Sequence, residues 1–166
     1  MTEELEGLGP RARAAVATLI AMALAAEIQR AGDDDGAAIA AIDAMKRWIR
    51  GEPVSGREMS DLVYSERGEG VALHTMRGAE TSATPAWSAL TIAAMYVAWH
   101  AYQTTGERMP EDVSEVDEST LDMLDEHWRA TRSYDPDLAP AVSRVVRDRP
   151  EDRVDVDAIA IAIGRG

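Results

Sequence analysis

Eight acidic side chains and no Lys or Arg lie between residues 111 and 126, the densest group of chemically active side chains in the chain. They are Glu111, Asp112, Glu115, Asp117, Glu118, Asp122, Asp125 and Glu126. Carboxylates can serve as general acids or bases, but only where burial or a close neighbour shifts a pKa. Pairs such as Asp122 and Asp125 are expected on the exposed face of a helix. The pattern therefore favours attraction of a basic partner over acid–base catalysis.

Two other groups could do chemistry. His100 could act as a base or a ligand, but no other His is near it in sequence and no carboxylate shares its helical face. A buried, hydrogen-bonded histidine is the predicted role. The run Asp33-Asp34-Asp35 could bind a hard cation, but it lacks the spaced ligands of a calcium loop. It is predicted to cap the helix that follows, since acids complement the positive end of a helix.

Catalytic motifs are missing from the sequence. It contains no G-x-x-x-x-G-K-[ST], G-x-S-x-G or H-E-x-x-H, and Gly68-Glu69-Gly70 is too short for a phosphate loop. With three His and no Cys, few ligands remain for a transition metal. We therefore predict no metal, no cofactor and no enzymatic activity.

The charge balance narrows the partners. The 166 residues include 30 acids and 17 bases, which gives a net charge of −13 at pH 7. Solubility alone requires a net charge of only about 2–8 in magnitude in a small domain. The excess argues against nucleic acid and anionic membranes as partners and favours a basic one. Solubility without a partner is the alternative. The absence of Cys fits a reducing compartment and the N-terminus is acidic, so a cytoplasmic location is expected.

The elements that position these groups are predicted to be helices. Pro10 starts the first and Gly32 ends it. Apolar stripes are expected at Val16, Ile20, Leu24 and Ile28 in the first helix and at Ile39, Ile42, Met45 and Ile49 in the second. Ser55 and Glu58 match a capping box, in which Ser55 accepts from the Glu58 N–H and the Glu58 carboxylate accepts from the Ser55 N–H. The next short helix is predicted to bury Met59, Leu62 and Val63.

The second half continues the pattern. Leu121, Leu124 and Trp128 indicate a helix over about 118–132, and Asp135-Pro136 caps another that carries Val142, Val145 and Val146. Residues 71–76 and 154–163 fit either a helix or a strand. The sum is an all-α, single-domain bundle of six or seven helices over residues 1–166, with the structure of 150–166 left open.

The segment Thr84–Gly106 is predicted to be the central helix, at about 85–105. It contains no Asp, Glu, Lys or Arg, and it is apolar on all sides, as in helices buried in protein or in lipid. Its length of about 21 residues would just span a bilayer, but scattered polar residues and acidic flanks favour a protein core. Thr84 is expected as N-cap and Gly106 as the C-terminal stop. Its aromatic residues either pack in the core or line a small-molecule pocket: Trp87, Tyr96, Trp99 and Tyr102.

Several spaced motifs resemble one family. They are a helix ending near Trp48, then Val54-Ser55-Gly56-Arg57-Glu58, Ala86-Trp87, Tyr96-Val97-Ala98-Trp99-His100-Ala101-Tyr102, Pro110-Glu111 and Glu115-Val116-Asp117-Glu118. Over residues 10–133 the chain resembles the all-α immunity proteins, family six, of bacterial polymorphic toxin systems. The chain after Asp135 is outside the resemblance.

The resemblance implies a small cytoplasmic protein that binds a cognate toxin and blocks it, and many such toxins act on nucleic acid. It carries over no binding residues, because the matched positions are packing and capping residues. Since a nuclease-type cleft must be basic, the acidic segment 111–126 is predicted to face a basic toxin surface. A solvated helix face is the alternative for the segment, and a small-molecule-binding or regulatory helical module is the alternative for the protein.

Overall fold

The computed structural model describes residues 1–65, 70–76, 81–147 and 149–165. Nine α-helices and no strand occur within these ranges, which confirms the all-α prediction. The helices are α1 Pro10–Arg30, α2 Gly36–Ile49, α3 Gly56–Val63, α4 Val71–Met76, α5 Thr84–Thr105, α6 Glu111–Ser114, α7 Thr120–Arg129, α8 Leu138–Val146 and α9 Val156–Ala162. Two 3-10 turns, Thr2–Leu5 and Glu151–Arg153, complete the order. The count exceeds six or seven because the short segments also form helical turns.

Helix α5 lies at the centre of the bundle, as its composition predicted. It packs against α1, α2, α3, α4, α6 and α7. Gly106 ends it with a left-handed backbone (φ 68°), which glycine adopts without steric cost. The N-cap is Ala83 and not Thr84. The hydroxyl of Thr84 instead accepts from the Thr81 N–H at 2.9 Å, within the turn that precedes the helix.

Helix α1 is the second element of the core. Its predicted stripe of Val16, Ile20, Leu24 and Ile28 is fully buried. Among the described helices, α1 is long and apolar enough to cross a membrane, but 72% of its most apolar stretch is buried inside the protein. Its Glu27 is also buried, and the Glu27 carboxylate accepts from the backbone N–H groups of Arg132 and Ser133 at 3.2 and 2.8 Å. Helix α1 therefore holds the α7–α8 connection.

The buried face of α2 differs from the predicted one. Ile42, Met45 and Ile49 are buried, but Ile39 is 48% exposed. Ala38, Ala41, Ala44 and Trp48 complete the face instead. The buried face is centred on the alanines and not on Ile39, because their small side chains allow close packing.

The capping box before α3 is half confirmed. The Ser55 Oγ accepts from the Glu58 N–H at 2.9 Å. The Glu58 carboxylate does not complete the box; it accepts from Arg47 Nη1 at 3.0 Å and so joins α3 to α2. Met59 and Val63 are buried as predicted, and Leu62 is half-buried.

The chain after Asp135 is helical and lies against the first half. The Asp155 side chain accepts from the Ala158 N–H at 2.8 Å, which starts α9 and decides for helix over strand. Val142, Val146, Val156 and Ile159 are buried, and α8 and α9 pack against α1. The Glu151 carboxylate accepts from the Arg11 N–H at 2.8 Å, and Lys46 donates to Asp157 at 2.7 Å. Residues 71–76, the other ambiguous stretch, are helical, and the Gly68-Glu69 part of the glycine motif lies outside the described residues.

A glycine contact gives the first testable prediction. Gly56 is buried at the start of α3, and a Cβ added there would overlap the ring of Tyr102 on α5. Tyr102 has little freedom to move, because it is buried and its hydroxyl lies 3.0 Å from Ser60 Oγ. We expect Gly56→Ala to lower the free energy of unfolding by about 1–3 kcal/mol, measured by urea denaturation. Gly36→Ala, at the same position of the exposed start of α2, is the control; its Cβ would meet only the exposed Asp34 side chain, at 3.2 Å, so it should cost clearly less. Equal stability of the two variants would contradict the prediction.

Candidate protein-binding surface

The acidic segment covers one side of α5. Val113 anchors α6, and Leu121, Leu124 and Trp128 anchor α7, all of them buried against the bundle. The predicted apolar face of the 118–132 helix is thereby confirmed, although α7 is shorter than predicted, at Thr120–Arg129. The structure then divides the eight predicted partner-binding acids into two groups.

Four acids are bonded within the chain; we refer to Asp117, Glu118, Asp122 and Asp125 as the bonded acids. Glu118 accepts from Arg13 at 2.7 Å and from the Tyr96 hydroxyl at 2.9 Å, which joins α1, α5 and the start of α7. Burial, with the Glu118 bond, raises the pKa of Tyr96 far above its usual value. Glu118 is therefore a structural residue, and its carboxylate already has two donors.

The other three bonded acids have partners nearby. Hydrogen bonds from the Ser119 hydroxyl, at 2.6 Å, and then from the Ser119 N–H, at 2.8 Å, lower the pKa of Asp117. A hydrogen bond from the Thr2 N–H at 3.1 Å lowers the pKa of Asp122, whose carboxylate also lies 3.4 Å from the Met1 amino group. Arg129, one helical turn further along α7, donates to Asp125 at 2.8 Å. The charges of Asp122 and Asp125 are therefore in part neutralised within the chain, whereas Asp117 keeps its charge and is held by neutral donors.

The remaining four are the outward acids: Glu111, Asp112, Glu115 and Glu126. All four side chains are exposed. Among the residues that the structure describes, none of their carboxylates forms an ion pair or accepts a hydrogen bond; the Ser114 hydroxyl donates to the backbone carbonyl of Glu111. Within the described residues, their negative charge is not compensated by a cation. The outward acids, more than the bonded ones, meet the requirement of a protein-binding surface.

Next to the outward acids is an apolar groove with a volume of about 260 Å³. Its apolar side chains come from the end of α3, from α5 and from the α6–α7 region: Tyr64, Ile92, Met95, Val116 and Met123. Asp112 and Glu115 also line it. Burial, and then the nearby Asp112 carboxylate, raise the pKa of Tyr64, so its phenol stays neutral at pH 7 and can donate a hydrogen bond.

The groove was not predicted from the sequence, although the sequence contains one indication of it. Met123 is a large apolar residue that lies off the Leu121–Leu124–Trp128 stripe of its own helix, and it is 46% exposed. Tyr64 gave no comparable signal, because its position depends on how α3 packs against α5. An apolar side chain on the polar face of a helix was the available sign of a contact surface.

The aromatic residues of α5 are packing residues. Trp87 and Tyr96 are buried, and Trp99 is half-buried against the core. Tyr102 borders a depression of about 540 Å³, whose other lining residues are mostly polar and include Arg57 and Arg108. This arrangement does not form an aromatic-lined pocket around the four residues, so nothing in the geometry favours the small-molecule alternative.

His100 is buried as predicted, but the predicted hydrogen bond is missing at one ring nitrogen. Its Nε2 has no partner among the described residues. The ring is stacked on Trp48 and meets the edge of Tyr96 at a centroid distance of 4.7 Å. Burial, with the Arg13 charge nearby, lowers the pKa of His100 to about 4. The neutral imidazole is a packing group of the core.

The predicted capping role of the Asp33–Asp35 run is partly confirmed. Asp34 accepts from the Gly36 N–H at 3.0 Å, and Asp35 occupies the N-cap position of α2 although its side chain makes no capping hydrogen bond. Asp33 has a different role, because its carboxylate accepts from Trp87 Nε1 at 3.2 Å and thus ties this turn to α5. Over the described ranges, no group of three or more Asp, Glu or His side chains has an arrangement that could hold a metal ion.

The fold and this surface define an all-α bundle protein with an acidic face and an apolar groove. Residues 12–131 match the family model described as Immunity protein Imm6. The match covers more than half of the chain, which therefore belongs to the Imm6 family of immunity proteins. No curated protein and no solved structure matches the chain. The resemblance seen in the motifs is confirmed, and the partner that family membership implies is a cognate toxin.

Proposed function

We propose that this protein neutralises a cognate toxin of a polymorphic toxin system in the cytoplasm of the producing cell. The proposed toxin acts on nucleic acid. The observation that carries the proposal is the set of four outward acids, exposed and without ion-pair partners in the described part of the chain. A surface that binds phosphates must be basic. An acidic surface of the inhibitor can compete with nucleic acid for such a site.

The charge also has a kinetic role. A net charge of −13 and a basic toxin surface attract each other over long range, which raises the association rate. Fast capture suits an inhibitor that must act before the toxin reaches its substrate. The proposed location follows from the same reasoning, because a toxin that attacks nucleic acid has to be intercepted in the compartment that holds it.

The test is a charge reversal of the outward acids, Glu111, Asp112, Glu115 and Glu126, all to Lys. We expect the association rate with the cognate toxin domain to fall by about 10-fold to 100-fold at low salt, because long-range attraction is lost. Its salt dependence should weaken in parallel. Stopped-flow measurements across a salt series check both, and the toxin's activity on DNA and RNA shows whether its substrate is nucleic acid.

The matched control reverses four exposed acids elsewhere, Glu3, Glu6, Asp43 and Asp152, and changes the net charge by the same amount. It should retain most of the association rate. An equal loss in both variants would mean that net charge, and not this surface, governs capture. A toxin with no activity on nucleic acid would remove that part of the proposal.

A further inference from the structure

Two exposed apolar side chains lie on the same groove. Tyr64 is 40% exposed and Met123 is 46% exposed, and both line the depression of about 260 Å³ beside α5. Exposed apolar surface rimmed by polar groups is typical of protein contact sites. The volume of the groove is below the usual range for small-molecule pockets, about 300–1,000 Å³, but the groove can accept a side chain.

The chemistry of the lining is suited to a protein contact. Tyrosine is enriched among the residues that dominate binding energy, and methionine adapts its shape to the surface that it meets. Exposed charges at a rim mainly set association rates and specificity, whereas apolar contacts at the centre of an interface slow dissociation. The groove can thus supply what the outward acids cannot, a long-lived complex.

The negative charge at the rim of the groove favours a basic partner over a second copy of this chain as the occupant. Asp112 and Glu115 lie on the groove and belong to the outward acids, whose charge is not neutralised within the described part of the chain. A second copy of this chain would bring like charges together at the rim, which costs binding energy. A basic partner would instead gain ion pairs there.

We infer that this groove is the energetic centre of the toxin interface and receives an apolar toxin side chain flanked by Lys or Arg. The inference rests on the proposed function and adds the site and the chemistry of contact. The apolar side chain packs between Tyr64 and Met123, and the flanking cations bind Asp112 and Glu115.

The first experiment measures toxin affinity for Tyr64→Ala and Met123→Ala. Each should raise Kd about tenfold or more, mainly through faster dissociation, as truncation of a dominant contact residue does. Met76→Ala and Ile161→Ala are matched controls, because these side chains are 72% and 71% exposed and do not line the groove. They should leave Kd within about twofold. Thermal unfolding of all four variants verifies the fold.

The second experiment needs no substitution. Mild oxidation by hydrogen peroxide converts exposed Met to its sulfoxide, which mass spectrometry counts residue by residue. In the complex with the toxin domain, Met123 should be protected while Met76 oxidises as in the free protein. Unchanged oxidation of Met123 in the complex would overturn the inference. Protection of Met123 in the free protein that grows with its concentration would do so too, since a second copy would then fill the groove.

The two levels of the proposal fail in different ways. If the wild-type protein neither binds nor inhibits the toxin, the proposed function is wrong. If the wild-type protein inhibits the toxin and the groove variants bind as tightly as Met76→Ala, the function stands and the groove is not the energetic centre.

Discussion

Trp87→Ala is expected to lower the free energy of unfolding by about 3–5 kcal/mol, as large aromatic truncations in protein cores do. Trp87 is almost fully buried near the start of α5, and its ring is stacked on His74 at a centroid distance of 3.9 Å. The substitution also leaves the Asp33 carboxylate without the indole donor at 3.2 Å. Urea unfolding followed by far-ultraviolet circular dichroism measures the loss without relying on tryptophan fluorescence.

Two further variants separate the causes of that loss. Trp99→Ala makes the same change on the same helix at a half-buried position, so it should cost clearly less. Trp87→Phe keeps most of the buried ring and removes the indole N–H, so its cost should be close to that of one lost hydrogen bond to a charged group, about 1.5–3 kcal/mol. The core assignment of Trp87 would be wrong if Trp87→Ala were no more destabilising than Trp99→Ala.

His100 is expected to make the protein less stable as the pH falls from about 6.5 to about 4. In the folded protein, burial first and then the Arg13 charge lower the pKa of His100 to about 4, against 6.5 for an exposed histidine. Over this range the unfolded chain binds a proton that the folded protein does not, so acid favours unfolding. A difference of this size corresponds to about 3 kcal/mol, fully present above pH 6.5 and lost by pH 4.

The measurement is the free energy of unfolding in urea at several pH values across that range. His100→Phe keeps an aromatic ring in the core and has no proton to bind, so its stability should vary less with pH. Its absolute stability is not the criterion, because phenylalanine is larger. His127→Phe replaces an exposed histidine on α7 and should keep the wild-type slope. Identical slopes for His100→Phe and the wild-type protein would show that His100 does not control the acid response.

The sequence predicted those parts of the fold that local chemistry decides. Pro10 marks a helix start because its ring fixes φ, and Gly106 marks a helix end because glycine adopts a left-handed backbone without steric cost; both effects are local. The stripe of α1 and the burial of α5 follow from hydrophobic pattern alone. Ile39 was placed in the core incorrectly, because its exposure depends on which side of α2 meets α1. The strand-or-helix choice for 154–163 depends on Asp155 capping α9, which the alternating isoleucines obscured.

The candidate surface was predictable only as a segment. Composition located the acids between residues 111 and 126, but it could not tell Glu118 from Glu115. That difference depends on Arg13 and Tyr96, which are distant in sequence and meet Glu118 only after α1 and α5 pack. The groove was missed for the same reason, since Tyr64 and Met123 are brought together by the packing of α3 and α7 against α5.

The division of the acids into bonded and outward groups bears on how such a protein diverges. Glu118 is needed for the fold, because its loss would leave Arg13 and Tyr96 without their acceptor. Glu115 has no ion pair within the described part of the chain, so its replacement would leave these contacts unchanged. Three outward acids, Glu111, Asp112 and Glu115, precede the four bonded acids in the sequence, and Glu126 follows them. Under the proposed function, the outward acids can be exchanged to match a changed toxin while the bonded acids keep the bundle intact, so a new specificity requires no new scaffold.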